Sequence, residues 1–254
     1  MHPPSTGQPE YTIPNSEQSC IRAVTFDFWG TLFRDAQGEE RHGLRLRGLV
    51  EATGAPEQDA DRALRRTMAF FMRNHLDTQH TLTPHDAAQL CCRQLNVHAD
   101  ETILKQLAQC FGDAILQYPP VPIDRALDAV RVASERVPVA LISDTGFSPG
   151  RNLRILLDNA GFLSYFSALN FSDETGAAKP QRRMYVSIAD RLGIAPHELL
   201  HIGDLEPTDI TGAHQVHAKA ALITAVNARY AGSTRADYLL PSWDRFLELV
   251  PRLL

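Results

Sequence analysis

Short apolar runs alternate with helical stretches through the second half of the chain, and that alternation limits the folds open to it. Val137-Pro-Val-Ala-Leu-Ile142, Ser167–Phe171, Leu199–Ile202, Ala220–Thr224 and Tyr238–Leu240 are short and apolar, and they read as strands. Between them, Asp124–Glu135, Arg151–Ala160, Gln181–Leu192 and Asp209–His217 read as helices. Gly161 and Gly193 stand just past two of these, where a left-handed residue commonly ends a helix. Strands alternating with helices imply a parallel sheet covered on both faces. The earlier run Ile21–Phe28 (I-R-A-V-T-F-D-F) is a strand of the same kind. Gly30 follows it with the backbone freedom that a sharp exit needs.

From about 35 to 118 the pattern is helical throughout. Ala60, Ala63, Leu64, Thr67, Met68, Phe71 and Met72 fall on one helix face. Thr83-Pro84 is a helix cap followed by proline at the first helical position, with Asp86 in the first turn and Ala87, Leu90, Cys91 and Leu95 along the apolar side. Asp100 caps a further helix carrying Leu104, Leu107, Ala108, Phe111 and Ile115, and Tyr118-Pro119-Pro120 stops it. The segment holds about four helices and no strand signal. Because Ile21–Phe28 belongs with the later strands, these helices are an insertion. The expected organisation is a flexible leader over 1–19, an α/β core over 20–34 and 119–254, and an all-helical segment over 35–118. The expected fold class is a doubly wound, Rossmann-like parallel sheet with that segment inserted. A chain of 254 residues fits such an arrangement, since roughly 150 residues per domain gives between one and two domains.

Charge and composition narrow the partners. Lys and Arg number 25 against 30 Asp and Glu, a net charge of −5, which speaks against a nucleic-acid binder. No run approaches the ~18–20 apolar residues of a membrane span. Residues 1–19 hold four prolines and no apolar run, unlike a secretory signal. Cys20, Cys91, Cys92 and Cys110 lack C-x-x-C spacing, so they read as reduced, mostly buried thiols in a cytoplasmic protein.

In an open parallel α/β sheet, ligands bind beyond the carboxyl ends of the strands. The polar residues at those ends are Asp27, then Ser143-Asp144-Thr145-Gly146, then Lys179 in a loop, then Gly203-Asp204 with Asp209. Asp27 inside an apolar run is hard to explain structurally, because a buried carboxylate is costly unless paired. Gathered carboxylates repel one another, and a hard cation such as Mg²⁺ relieves that repulsion.

Taken in order, Asp27-Phe-Trp-Gly-Thr-Leu32, Ser143 after a strand, Lys179-Pro180 and Gly203-Asp204-x4-Asp209 resemble the four motifs of the haloacid dehalogenase-like (HAD) superfamily of hydrolases. The likeness covers Ala23–Leu32 and about Pro119–Leu240, and the helical insertion lies where that superfamily carries a helical cap. The resemblance implies Asp27 as nucleophile. It implies Ser143 as a phosphoryl hydrogen-bond donor in a binding loop with Asp144 and Thr145. Lys179 would hold Asp27 and neutralise developing charge. Mg²⁺ would be held by Asp27, Asp204 and the Trp29 carbonyl, with Asp209 supporting it directly or through water. The implied activity is phosphate-ester hydrolysis of a small anionic metabolite through an aspartyl phosphate.

Trp29 departs from the pattern. Phosphatases of this superfamily usually carry a second Asp there as acid and base, and indole serves as neither. Three readings follow. The leaving group needs no proton, or another group such as His75, His80 or His85 supplies one. Alternatively the protein is a 2-haloacid dehalogenase, whose relatives carry Tyr at this position and work without metal; the acidic Asp204/Asp209 pair speaks against that. Or it is an impaired, ligand-binding member. Asp144, Arg182, Glu206 and Thr208 are smaller departures. Between Arg41 and Arg73, seven arginines (Arg41, Arg45, Arg47, Arg62, Arg65, Arg66, Arg73) stand against Glu51, Glu57, Asp59 and Asp61. They read as a solvated helix face or as a clamp for an anion. Met68, Phe70, Phe71 and Met72 read as core or as pocket lining.

Overall fold

The computed structural model describes residues 21–254, the side chains at 72, 75 and 76 excepted. The expected leader, Cys20, and the readings placed on Met72 and His75 lie outside the described residues.

Six strands form one parallel sheet: β1 (Ala23–Phe26), β4 (Val139–Ser143), β5 (Phe166–Phe171), β6 (Leu199–Gly203), β7 (Lys219–Ile223) and β8 (Tyr238–Leu240). Their spatial order is β5-β4-β1-β6-β7-β8, so the first strand sits in the middle of strands from the far end of the chain. This is the Rossmann-like α/β fold that the alternation implies. β1, β4 and β6 are buried along their whole length, as strands covered on both faces must be. Alternate residues of β1 serve opposite layers. Val24 and Phe26 enter a core with helices α5 (Ala126–Ser134), α6 (Gly150–Asn159) and α10 (Trp243–Leu253). Ala23 enters the opposite core, with α8 (Arg182–Leu192) and α9 (Thr211–Gln215).

The inserted segment is four helices: α1 (Gly38–Thr53), α2 (Glu57–Thr78), α3 (Pro84–Gln94) and α4 (Glu101–Gln117). Thr83 and Asp86 close the expected cap of α3 reciprocally, and Asp100 accepts from the Ile103 amide at 2.9 Å to cap α4. Leu49, Leu64, Phe71, Ala87, Cys91 and Phe111 build a core separate from those of the sheet. Cys91 and Cys92 are buried free thiols there, as expected of small apolar residues.

Three features differ from the sequence reading. The strand expected over Ile21–Phe28 ends at Phe26, because Leu32 and Phe33 both donate to the Phe28 carbonyl and fold the chain into a tight turn at Gly30 (φ +70°). A two-residue ribbon, β2 (Phe33–Arg34) with β3 (Val121–Pro122), brackets the insertion; elements that short carry no periodic signal. The helix expected over Asp209–His217 begins instead with a wide π turn at Glu206–Ile210, and only then becomes α9. A short helix, α7 (Ser172–Thr175), and the last helix, α10, complete the described elements.

Helix α10 matters to the rest. Trp243, Phe246, Leu249 and Val250 line its buried face. The Trp243 indole packs on Phe26 and Phe246 and donates to the Thr31 carbonyl at 3.1 Å. The last helix therefore buttresses the turn that follows β1. Trp243→Ala is expected to lower unfolding stability by about 3–5 kcal/mol, read from urea denaturation with an unchanged slope.

Candidate active site

Asp27 stands at the carboxyl end of the central strand, and its amide still pairs with the Ile202 carbonyl at 2.9 Å. β1 and β6 place Thr25 opposite His201. By the two-residue period of a strand, Asp27 shares the face of Thr25, and Gly203 shares that of His201.

Lys179 reaches this edge from the loop between α7 and α8 and is only 2% exposed. Its Nζ donates to Asp27 Oδ1 and to Asp209 Oδ1, both at 2.6 Å. Its main-chain N–H donates to Asp144 Oδ1 at 2.9 Å. Asp144 thus fixes the lysine's backbone while two carboxylates fix its ammonium. That contact gives an acid at position 144 a plain role: any side chain with an acceptor oxygen there can make it. Ser143 is fully buried, and its hydroxyl donates to the Asp144 carbonyl at 3.2 Å.

Thr145, expected among the phosphate-binding groups, is engaged elsewhere. Its amide donates to Ser172 Oγ at 2.8 Å, and its hydroxyl donates to Asp173 Oδ1 at 2.9 Å. The same hydroxyl accepts from the Asp173 amide at 3.1 Å. Thr145 ties the loop after β4 to α7. Trp29 is half-buried, its indole edge-on to Phe28 at 5.1 Å between ring centres.

Asp209 is satisfied at both oxygens. Oδ1 meets Lys179 and His201 Nε2 (3.0 Å), and Oδ2 accepts from the Leu205 amide (3.0 Å) and the Thr208 hydroxyl (3.4 Å). The π turn makes this possible: its extra residue per turn swings Asp209 back toward the chain end of β6. The approach is close enough that a Cβ on Gly203 would lie 2.2 Å from Asp209 Cγ. Asp204 is 7% exposed, and its Oδ2 accepts from Asn227 Nδ2 at 3.2 Å.

Asp27, Asp204 and Asp209 offer oxygens that lie within 4.8 Å of one another, three carboxylates around one ammonium. The electrostatics follow. Burial pushes the Asp27 carboxyl well above its ordinary range, and Asp209 and Asp204 add to it against the pull of Lys179. Burial, then Asp209, raises Asp204 to about 6. Burial alone would raise Asp209 too, but Lys179 and His201 outweigh it and hold that carboxyl below its ordinary range. Burial pulls Lys179 down, yet Asp209 and Asp27 together keep it firmly protonated.

Sequence reasoning missed His201 and Asn227 here and named Glu206 only as a departure from the motif. His201 was detectable in principle, as an imidazole inside an apolar strand; it is fully buried and bridges Asp209 to Thr25 Oγ1 (2.8 Å from Nδ1). Glu206 accepts from Thr234 Oγ1 (2.7 Å) and the Arg235 amide (3.1 Å), which clamps the β7–β8 loop so that Asn227 meets Asp204. Nothing in the sequence marks Asn227. Of the insertion's arginines, Arg41 and Arg45 are buried. Arg41 donates to the Tyr118 carbonyl at 2.8 Å, and Arg45 donates to the Phe111 carbonyl at 2.9 Å and lies over the Phe147 ring. Arg47, Arg62, Arg65, Arg66 and Arg73 are exposed, a solvated face. Phe71 packs into the insertion's core and against Phe147 at 4.7 Å, beside the loop after β4, while Phe70 is exposed and Met68 half-buried. His80 is exposed and His85 pairs with Glu101.

Comparison with known proteins identifies the family and the fold. Residues 21–217 match the family model of the haloacid dehalogenase-like hydrolases, and the chain belongs to that family. It is 24% identical over 207 residues to a glyceraldehyde 3-phosphate phosphatase of Methanopyrus kandleri, covering 77% of this chain and 80% of that protein. A HAD-hydrolase of Bacillus subtilis, YfnB, bound to magnesium, superposes with a TM-score of 0.64 at 17% identity over 92% of this chain and 98% of the other. The L-2-haloacid dehalogenase of Xanthobacter autotrophicus does so with a TM-score of 0.58 at 18% identity, over 92% and 100%. At these identities the two structures share the fold.

Gly30 tests how tightly the site is built. It has φ +70°, and a Cβ there would lie 2.5 Å from Asp204 Oδ2. Gly30→Ala is expected to cost about 1–3 kcal/mol, seen as a lower thermal midpoint, with Asp204 displaced in a crystal structure of the variant.

Proposed function

We propose that the protein is a cytoplasmic Mg²⁺-dependent phosphohydrolase that acts on a small anionic phosphorylated metabolite through an aspartyl phosphate on Asp27. The observation that carries this reading is the Lys179 ammonium between Asp27 and Asp209, with Asp204 within reach. Family membership and a relative named a phosphatase support it.

The residues suit a divalent cation. Three carboxylates face one ammonium, and two are held above their ordinary range by burial and mutual repulsion, the situation a hard cation relieves. Asp27 and Asp204 would hold it with the Trp29 carbonyl. Asp209, with both oxygens engaged by protein donors, would support it through Lys179 and the shared field. When bound, Mg²⁺ supplies positive charge to the phosphoryl oxygens and lowers the repulsion between Asp27 and an anionic substrate.

The chain's own groups do the rest. The Asp27 oxygen not engaged by Lys179 attacks phosphorus. The bond from phosphorus to the leaving oxygen breaks, and that oxygen departs with its electron pair. Lys179 and the Ser143 hydroxyl, turned from the Asp144 carbonyl, stabilise the charge on the transferring group. Water then attacks phosphorus, releasing phosphate and the free Asp27 carboxylate. Trp29 offers the leaving oxygen no proton, a loss worth about 10²–10⁴-fold on an alkyl ester. The reading therefore favours leaving groups of low pKa, such as an acyl phosphate or a pyrophosphate.

A second reading, 2-haloacid dehalogenation, is favoured by Trp29 alone. One assay separates them. Para-nitrophenyl phosphate and acetyl phosphate are expected to turn over with Mg²⁺ and not with EDTA. Acetyl phosphate should exceed glycerol phosphate by at least about 10²-fold, and Asp27→Asn should lower turnover by at least about 10³-fold. Metal-independent hydrolysis, or an unaffected Asp27→Asn, overturns the phosphohydrolase. Chloride release from 2-chloropropionate in EDTA would establish the dehalogenase.

Proton and cation compete for Asp204. With its carboxyl near 6, the apparent Mg²⁺ affinity measured by calorimetry should be about tenfold weaker at pH 5 than at pH 7. The sign follows from the raised value: the proton is held up to about pH 6 and must leave before the cation enters.

A further inference from the structure

His201 is a buried titratable group at this edge that the mechanism above leaves without a task. It sits mid-strand on β6, fully buried, directly opposite Thr25 on β1. Its Nδ1 lies 2.8 Å from Thr25 Oγ1, and its Nε2 lies 3.0 Å from Asp209 Oδ1. A carboxylate only accepts, so Nε2 carries the hydrogen and donates to Asp209. Nδ1 is then the acceptor, and the Thr25 hydroxyl donates to it. The Tyr185 ring packs edge-on against the imidazole at 5.1 Å, while its hydroxyl donates to the Thr208 carbonyl at 3.0 Å, which fixes the ring from the side.

The oxygen that receives His201 is the one that holds Lys179. Asp209 Oδ1 therefore divides its charge between an imidazole N–H and the ammonium. Lys179 in turn divides its hydrogen bonds between Asp209 and Asp27, at equal distances of 2.6 Å. Remove the imidazole donor, and Asp209 regains a full acceptor for Lys179 and freedom to rotate about its remaining contacts. Both changes draw the ammonium away from Asp27.

We infer that Thr25 and His201 form a buried positioning relay, running Thr25–His201–Asp209–Lys179–Asp27, whose function is to keep the Lys179 ammonium on the nucleophile. The inference rests on the phosphohydrolase reading of Asp27 and Lys179. His201 and Thr25 touch no substrate; they act through Asp209.

The test measures kcat and KM for para-nitrophenyl phosphate with Mg²⁺, alongside thermal midpoints. His201→Leu is expected to lower kcat about 10–100-fold with KM within about twofold of wild type. His201→Gln, whose amide can donate to Asp209 and accept from Thr25, should recover most of that loss. Thr25→Val should lower kcat by less, Thr25→Ser should restore it, and Thr25→Val should add nothing in the His201→Leu background. A purely structural role would instead lower the midpoint in all variants without separating Gln from Leu in kcat. The beryllofluoride adduct of Asp27, followed by fluorine NMR, gives a readout without turnover, and it should weaken in His201→Leu and recover in His201→Gln. If His201→Leu fails to fold, the Thr25→Val and Thr25→Ser pair carries the same comparison.

A kcat for His201→Leu within twofold of wild type, or a Gln variant no better than Leu, overturns the relay while Asp27→Asn remains inactive. An active Asp27→Asn, or a wild type with neither turnover nor adduct, overturns the functional reading, and the relay falls with it.

Discussion

Everything at the sheet's edge depends on one buried ammonium. A lysine at 2% exposure is tolerable only if its charge is answered, and Lys179 is answered twice, by Asp27 and by Asp209. Breaking such a pair by deleting one partner leaves an uncompensated buried charge, typically a loss of about 3–5 kcal/mol. The fold therefore has reason to hold three separate chain segments in register at this point: the end of β1, the loop before α8 and the π turn after β6. Each is fixed independently. Asp144 holds the lysine's backbone, Gly203 leaves room for the Asp209 carboxylate, and Trp243 pins the turn after β1 through the Thr31 carbonyl.

The same requirement explains local geometry that looks irregular by itself. A regular helix after Gly203 would not turn Asp209 back to cap the Leu205 amide while meeting Lys179 and His201. The π turn does, at the cost of poorer backbone hydrogen bonds such as Ile210 to Leu205 at 3.4 Å. Gly30 takes a left-handed conformation beside Asp204 for a related reason: two polar segments must approach more closely than side chains permit.

The parallel sheet, the membership of the first strand in it and about four inserted helices were readable from the chain because each carries a periodic pattern, whereas the central place of that strand was not. Thr83-Pro84 and Asp100 even marked their helix starts. Asp27, Ser143, Asp144 and Asp204 stood out as candidates because they interrupt or directly follow apolar runs, and Lys179 and Asp209 through the Lys-Pro and Gly-Asp-x4-Asp spacings. What escaped has physical reasons. The β2–β3 ribbon is two residues per strand, too short for any period. Asn227 and Glu206 meet the site only because a loop is clamped in three dimensions. Thr145 sits in the right stretch of sequence, but its bonding groups point to α7. His201 interrupts the apolar run Leu199–Ile202, and a buried imidazole there requires hydrogen-bond partners. The last helix, too, repeats its apolar residues at helical spacing, from Trp243 to Val250.

The buried charges of the candidate site and the inserted helices come from different parts of this molecule. The relay, the lysine and the three carboxylates all come from the sheet and its loops, so the chemistry is built without the insertion. The inserted helices reach the same edge through apolar and backbone contacts: Phe71 on Phe147, Arg45 over Phe147, and Gln181 Nε2 donating to the Gln79 carbonyl at 2.5 Å. Two of its arginines are consumed in holding the insertion to itself and to its exit at Tyr118, and the rest face solvent. On the loop after β4, the Phe147 ring that the insertion grips stands three residues from the Asp144 carbonyl that restrains the Ser143 hydroxyl, and at the Lys179 loop the contact is the one from Gln181 to Gln79.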